Sequence, residues 1–434
     1  MRWPRFWSRI DEELVAASRE AREGVRGLGP GLITGVADDD PSGISTYTVV
    51  GASYGYQLLW TSPLTLPLNI AVQDICARIG VVTGNGLGAV IARRYGRRLL
   101  LPLVVLLLVA NIVNIGADIR AIAASIELLV GIPALTIVVP VGAAIALVEV
   151  VMPYPALARW LKLLTLVIFA YVVGAFFANP DWGAAAKATA LPEFRFDAGV
   201  LAAIVAILGT TVSPYLFFWQ TSEEVEEEQE RGVRPEEMTT GQLRALLHAA
   251  RLDVATGMVM ANVGFYFVVL TAAAALHASG ETQVTTAAEA AAALEPLAGS
   301  AASLLFALGI IGTGVLAIPV LAGSSAYAAA ELFGWREGLS STLRQAPQFY
   351  AVIAVATLVG VAMSFAGVSE IRALYVAAIV NGLVAPVLLV VIMLAAHDSE
   401  VLGEHRPGVA TLAIGWLTTA LMGLAALALA VSAL

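Results

Sequence analysis

Gly35-Val-Ala37-Asp38-Asp39-Asp40-Pro41-Ser42-Gly43 lies in the middle of an apolar run over residues 29–54. About 20 apolar residues suffice for a helix to cross a bilayer, but three aspartates and a proline do not suit an ordinary spanning helix. Proline removes a helix hydrogen bond and clashes with the preceding turn, and a central aspartate costs roughly 3 kcal/mol on insertion scales. In a membrane, broken helices persist where they line a polar cavity. Gly209-Thr210-Thr211-Val-Ser213-Pro214-Tyr215 interrupts the run over 197–220 in the same way. One mid-span proline is equally well explained by a kink. Two at matching places, one of them beside three aspartates, point to a transport site at the interface of an inverted repeat.

Composition agrees with a membrane chain. Of 434 residues, 59% are hydrophobic and 13% charged, where a soluble domain carries about 25% charge. The apolar runs are continuous and not alternating, which excludes a β-barrel. What remains is an all-α polytopic membrane protein. Eleven spans are predicted, at about 29–54, 57–80, 98–128, 133–153, 157–178, 197–220, 250–276, 299–332, 347–367, 369–396 and 408–433. With the N-terminus in the cytoplasm, inside segments hold all but four of the 24 Lys and Arg. Lys187, Arg195 and Arg372 fall outside, and Arg120 lies within span 3. The positive-inside rule therefore predicts N-in, C-out. Expected segments are a cytoplasmic N-terminal segment (1–27), a first repeat (28–180, spans 1–5), a second inverted repeat (196–397, spans 6–10) and span 11 (407–434). Residues 1–27 contain no apolar stretch of the signal-peptide kind. The single Cys76 rules out a disulfide framework and is read as a packing residue.

Asp40 is the foremost candidate. A carboxylate beside unwound carbonyls makes a hard, oxygen-rich cation site. Asp38 and Asp39 are assigned to the ion pathway, lining a hydrated vestibule. In span 3, Asn111, Asn114 and Asp118 share one helix face. Asp118, Asn114 and Arg120 are read with equal weight as a proton or ion relay or as a structural Asp–Arg pair. Asn69, Gln73, Asp74, Asn262 and Asn381 are expected in interhelical hydrogen bonds. Glu127 and Glu149 are expected at the interface, and Gly309-Ile-Ile-Gly312-Thr-Gly314 in close helix packing. The acidic run Glu223–Glu230 is expected to be a solvated cytoplasmic helix, with an acidic vestibule as the second reading.

Gln73-Asp-Ile-Cys-Ala-Arg78-Ile-Gly-Val-Val-Thr83-Gly resembles the span 2 signature of the NRAMP divalent-metal transporters. Gly29-Pro30-Gly31, Asp40-Pro41, and the stretches Phe306–Gly309 through Leu321–Gly323 are similar too. The resemblance covers most of spans 1–10. It implies a LeuT-type fold with a 5+5 inverted repeat plus an eleventh helix, and proton-linked uptake of Mn²⁺ or Fe²⁺. The family metal site is Asp-Pro-Gly-Asn in span 1 and Met-Pro-His in span 6. Here Asp40 and Pro41 match, while Ser42 and Gly43 replace Gly and Asn. Ser213 replaces the methionine, Pro214 matches, and Tyr215 replaces the histidine. Gln220 stands at a later histidine position, Asp118 at the span 3 aspartate, Ala121 at the glutamate after it, and Ala378 near the span 10 glutamine.

A thioether favours transition metals, and a hydroxyl removes that preference. The expected metal ligands are therefore Asp40, Ser213 and the Ala37 carbonyl. Ser42, Gly43 and Thr211 complete the substrate site, and Tyr215 serves as wall or gate. Mg²⁺ keeps several waters and binds through one or two carboxylates, so a secondary transporter favouring Mg²⁺ over Mn²⁺ is expected. The alternatives are an organic, cationic solute and a non-transporting sensor or scaffold. Neither an enzyme constellation, a resident cofactor nor nucleic-acid binding is expected. The partners are the bilayer (a bacterial inner membrane), a divalent cation or small solute, and protons as candidate coupling ion. The sequence carries no oligomeric signal.

Overall fold

The computed structural model describes residues 29–152, 154–192, 197–284, 300–365, 367 and 369–432. The expected N-terminal segment 1–27 lies outside them. Among the described residues, nine helical segments are long and apolar enough to cross a membrane. Two further spans complete the eleven: the broken first span and the 17-residue Pro347–Met363.

Span 1 is two helices, α1 (Pro30–Ala37) and α2 (Pro41–Tyr54). Span 2 is α3 (Thr61–Thr83), followed by the connecting helix α4 (Leu87–Tyr95) and span 3, α5 (Arg97–Val130). Span 4 is α6 (Ala134–Val151). Span 5 is α7 (Tyr154–Leu164), a 3₁₀ turn (Thr165–Ile168) and α8 (Phe169–Phe177). The linker helix α9 (Trp182–Ala190) leads to span 6, which is again two helices, α10 (Ala198–Thr211) and α11 (Pro214–Glu230). Span 7 is α12 (Thr240–Ala272), ending in a π turn (Ala273–His277). Spans 8 to 10 are α13 (Ser300–Phe333), α14 (Pro347–Met363) and α15 (Glu370–His397). The short α16 (Ser399–Leu402) precedes span 11, α17 (Val409–Ser432).

The break in span 1 follows from its residues. Pro41 has no N–H to donate and pushes the residue before it out of the helical region. Asp40 is accordingly extended, with φ −62° and ψ 170°. Its carboxylate then caps α2 by accepting from the Gly43 N–H at 2.7 Å, as aspartate does at helix starts. Ser213 and Pro214 repeat this backbone pattern at the start of α11, with Ser213 extended at φ −77°, ψ 132°. Its hydroxyl does not cap α11. It donates to the carbonyls of Gly209 (3.1 Å) and Thr210 (2.8 Å), closing the end of α10.

Small residues let the broken helices approach their neighbours. A Cβ on Gly35 would stand 2.1 Å from the Gly257 carbonyl carbon, and one on Gly257 would stand 2.1 Å from the Gly31 oxygen. Thus α1 and α12 touch backbone to backbone, as small residues permit in membrane bundles. Asp253 of α12 secures the start of α1, accepting from the N–H groups of Gly31 (2.8 Å) and Leu32 (3.2 Å). Gly309, Gly312 and Gly314 of α13 seat Tyr171, Val167 and Ile122.

Three expectations are corrected. Glu223, Glu224, Glu226 and Glu228 are buried, Glu223 completely, so the acidic run is not a solvated helix. It lies on α11, whose side chains face α3, α13 and α4. Glu149 is 1% exposed, not interfacial, and both its carboxylate oxygens lack a hydrogen-bond partner. Gln73 and Asn381 make no side-chain hydrogen bond, whereas Asn262 bonds Ser62 and Thr65 across α3 and α12.

Candidate cation site at the paired helix breaks

Asp40 is 1% exposed. Its Oδ1 accepts from the Ser42 hydroxyl (2.8 Å) and the Gly43 N–H (2.7 Å), and Asn114 of α5 donates to Oδ2 at 3.4 Å. No ion pair reaches this carboxylate among the described residues. The starts of α2 and α11 and the ends of α1 and α10 meet around it, so backbone N–H and carbonyl dipoles both face the break.

The other predicted residues are placed as follows. Tyr215, fully buried, donates its hydroxyl to the Ala37 carbonyl at 2.7 Å. It ties α11 to the end of α1 and takes up one of the two lone pairs of the carbonyl expected to hold a metal. Ser213 and Thr211 direct their hydroxyl protons along their own helix, Thr211 to the Ile207 carbonyl at 2.8 Å. Ser42 and Gly43 lie directly on Asp40.

The three aspartates diverge, because successive residues of an unwound turn cannot share one direction. Asp38 accepts from Asn69 of α3 at 2.8 Å. Asp39 has other neighbours: a Cβ on Gly264 of α12 would stand 2.4 Å from its Oδ2, and the Tyr47 hydroxyl faces it. Among the described residues, no three Asp, Glu, His or Cys side chains converge as a metal-holding group. An acidic site built from all three carboxylates is therefore not present, and Asp40 is the carboxylate at the meeting point of the breaks. Asp118 is fully buried and both its oxygens lack partners. Arg120 is not bound to it. Instead, Arg120 donates to the Ser364 carbonyl at 3.4 Å, because residues two apart point to different helix faces. The structural-pair reading of these two residues is thereby removed.

Sequence reasoning missed Thr210. It is 1% exposed, its hydroxyl makes no hydrogen bond, and it faces Gly43 across the two breaks. Its place in the quoted stretch, three residues before Ser213, was the available signal.

A model of the natural resistance-associated macrophage protein-like family matches residues 31–432. The chain belongs to this family. The "Divalent metal cation transporter MntH" of Aeromonas hydrophila is 29% identical over 410 residues, covering 91% of this chain and 93% of the relative. The protein of the same name from Pectobacterium carotovorum is 28% identical over 320 residues, 71% of this chain and 72% of its own length. Among solved structures, the Eremococcus coleocola manganese transporter superposes with a TM-score of 0.74 at 19% identity, covering 94% of this chain and 86% of that one. The nucleobase-cation-symport-1 transporter Mhp1 gives a TM-score of 0.61 at 17% identity, covering 94% and 91%. These likenesses establish the LeuT-type fold of this integral membrane protein.

The NRAMP chain also carries a second acidic region, at the end of the bundle where α4, α11 and α13 meet. Glu331 accepts from the N–H groups of Gly88 (2.5 Å) and Ala89 (3.2 Å) and from Ser222 (3.2 Å), so it caps α4 from α13. Glu226 accepts from Tyr327 and the Leu339 N–H, both at 2.6 Å, and from the Ser340 N–H at 3.1 Å. It thereby holds the loop that follows α13. Glu337 of that loop borders a cleft of about 450 Å³ that is also lined by Glu226, Glu230, Tyr327 and Arg336. Burial, and then Glu331 and Glu226, push the Glu337 carboxyl from its usual range up to about 9. The unfolded chain releases this proton near 4.5, so between the two values the folded state binds more protons and stability falls as pH rises. Glu337→Gln removes this effect. Its melting temperature relative to wild type is expected to climb from about pH 5 to about pH 8, by ~1 °C per kcal/mol recovered in a chain of this length. A pH-independent difference would contradict this account.

Proposed function

We propose that this NRAMP-family protein is a secondary active transporter of a divalent cation, with Mg²⁺ preferred over Mn²⁺ and Asp40 as the charged ligand. The observation that carries this reading is the fully buried Asp40 carboxylate at the junction of two broken helices, neutralised by no basic side chain among the described residues. A buried lone charge is costly unless it meets a counter-charge, and a cation supplies one. The likeness to the divalent metal cation transporters MntH supports a divalent metal as cargo. The preference for Mg²⁺ rests on the donor set. The residues around Asp40 offer hydroxyls and carbonyls (Ser42, Thr210, Ser213, Asp38) and no sulfur. Hard oxygens suit Mg²⁺, Ca²⁺ and Mn²⁺, and the thioether that would favour a transition metal is replaced by Ser213. Asp118, without a partner and on the face that carries Asn114, supports a role in an ion or proton path. The proposed setting is a bacterial inner membrane with the N-terminus in the cytoplasm, which rests on the Lys and Arg bias of the connecting segments.

The test is uptake into proteoliposomes, read with Mg²⁺- and Mn²⁺-sensitive dyes at equal concentration and with Ca²⁺ as competitor. Mg²⁺ flux at or above Mn²⁺ flux is the expected result. Mn²⁺ flux tenfold above Mg²⁺ would overturn the preference. No flux of any of the three, from folded protein, would overturn the metal reading in favour of an organic solute.

A further inference from the structure

Arg93-Arg94-Tyr95-Gly96-Arg97-Arg98 joins α4 to α5 and gathers four cations in a chain whose net charge is −9. Among the described residues, counter-charges reach only one of them. Arg94 pairs with Asp398 and, at 3.1 Å, with Glu400. Arg93 borders a cleft that Arg94 and Glu400 also line. Arg97 and Arg98 are exposed and make no ion pair among the described residues. Both stand in the first turn of α5, where the helix dipole disfavours a cation and no acidic side chain offsets it. The positive-inside rule accounts for the side of the membrane they occupy, not for two uncompensated guanidinium groups at one spot. Their depth follows from the helix. Arg98 is separated by 16 residues from Asn114, which reaches Asp40 at the span 1 break, and this is about 24 Å of helix. A site between broken helices lies near the bilayer midplane, and the headgroup layer ends about 20–22 Å from it. With the usual tilt of about 20°, Arg98 comes level with the headgroups. An aromatic pair marks the same level. Exposed Phe333, at the end of α13, stacks on Trp335 with ring centroids 4.7 Å apart, and aromatic rings are enriched at membrane interfaces. A Cβ on Gly334, between them, would stand 3.3 Å from Arg97 Nη2, so this guanidinium lies against the end of α13. On the membrane side of the arginines, Leu101, Val105 and Val109 share one face of α5, and each is about half exposed.

We propose that Arg97 and Arg98 bind the phosphate of an anionic phospholipid whose acyl chain lies on the Leu101–Val109 face of α5, beside the Phe333–Trp335 pair. Guanidinium is the side chain best matched to phosphate, which it can grip through two parallel hydrogen bonds. Basic side chains next to a spanning helix attract anionic lipid within a Debye length of the surface. A zwitterionic lipid fits less well, because its ammonium group meets the same two cations. Soluble phosphate matches the arginines but leaves the apolar face uncovered. The bound lipid clips the start of α5 to the end of α13. These two helices are already joined deeper in the bundle, where Asn111 donates to Ser324 (3.0 Å) and Ser325 (2.9 Å). The lipid site is independent of the cargo carried at Asp40.

The experiment titrates the full chain, purified in a neutral detergent, with phosphatidylglycerol, phosphatidylcholine or inorganic phosphate. Retained lipid is counted by native mass spectrometry, and the melting temperature is followed alongside. Phosphatidylglycerol is expected to bind and to raise the melting temperature, and phosphatidylcholine to bind at least tenfold more weakly. Each arginine near a membrane surface is worth about fivefold in affinity for anionic lipid. The double variant Arg97→Gln/Arg98→Gln is therefore expected to lose about 25-fold for phosphatidylglycerol and nothing for phosphatidylcholine. Arg244→Gln, which removes an exposed arginine of α12, is expected to keep wild-type affinity. Equal phosphatidylglycerol binding by the double variant and the wild type overturns the proposal. So does an equal loss in Arg244→Gln, which would show an effect of net charge alone. A shift by inorganic phosphate as large as that by phosphatidylglycerol overturns the lipid as the source of the phosphate. Should the double variant fail to fold, a phosphatidylglycerol with a photoreactive acyl chain decides on the wild type. Labelling of Leu101–Val109 that phosphatidylcholine does not displace supports the site, and labelling confined to other helices overturns it.

Discussion

Asp40→Asn is expected to reduce divalent-cation binding below detection while leaving the fold intact. The electrostatic argument sets the scale. Two unit charges 4 Å apart interact by about 4 kcal/mol at an effective dielectric constant of 20, and a divalent ion doubles that before desolvation is counted. Each 1.4 kcal/mol is tenfold in affinity, so even a third of the interaction removes about two orders of magnitude. The fold argument is local. Asparagine is as good a helix N-cap as aspartate, and its carbonyl oxygen can still accept from the Gly43 N–H and the Ser42 hydroxyl, as Asp40 Oδ1 does at 2.7 and 2.8 Å. The new amide nitrogen would face Asn114, whose own Oδ1 lacks a partner and can turn to accept from it. Calorimetry with Mg²⁺ and Mn²⁺, beside a thermal melt, checks both halves. Wild-type affinity in a variant with an unchanged melting temperature would remove Asp40 from the site. A lost affinity accompanied by a collapsed melt would show instead that the carboxylate is needed for the break itself.

That Asp40 was visible in the sequence, and much of its surroundings was not, has a physical reason. Asp-Pro in mid-span forces an extended residue followed by a helix start, and this is a local effect that a single sequence displays. The same holds for Ser213-Pro214. The direction of each neighbouring side chain depends on distant partners. Asp38 is drawn to Asn69 of α3, and Asp39 finds room only because residue 264 is a glycine. Three adjacent carboxylates look alike in the sequence, yet an unwound turn sends them to different partners. The acidic run after span 6 misled for the same reason. Glutamates in a row look solvated until Tyr327 and the N–H groups of Leu339 and Ser340 are known to meet Glu226. Thr210 escaped notice because a threonine in an apolar helix is ordinary, and only its lack of a partner opposite Gly43 singles it out.

Gly257→Leu is expected to be as damaging as the loss of Asp40, by a different route. The atoms that a side chain at 257 would meet are main-chain atoms of α1: the Gly31 oxygen at 2.1 Å, the Gly31 carbonyl carbon at 2.9 Å and Leu32 Cα at 3.0 Å from the Cβ position. Backbone cannot rotate aside as a side chain can, so α1 must move bodily from α12. Overpacking a core against side chains costs about 1–3 kcal/mol, and a contact with backbone on this scale belongs at or beyond the upper end. Displacing α1 also breaks the two hydrogen bonds by which Asp253 holds its first turn, at 2.8 and 3.2 Å. It further carries the Ala37 carbonyl away from the Tyr215 hydroxyl. The end of α1 therefore shifts relative to Asp40, and both cation affinity and melting temperature are expected to fall, with transport down at least tenfold. Asp253→Asn separates the two causes, because it keeps an acceptor for one N–H but leaves the glycine contact untouched. It should lower the melting temperature modestly and preserve cation affinity. If Gly257→Leu retained wild-type melting and transport, α1 would not be packed on α12 as described, and the placement of the first helix break would have to be revised with it.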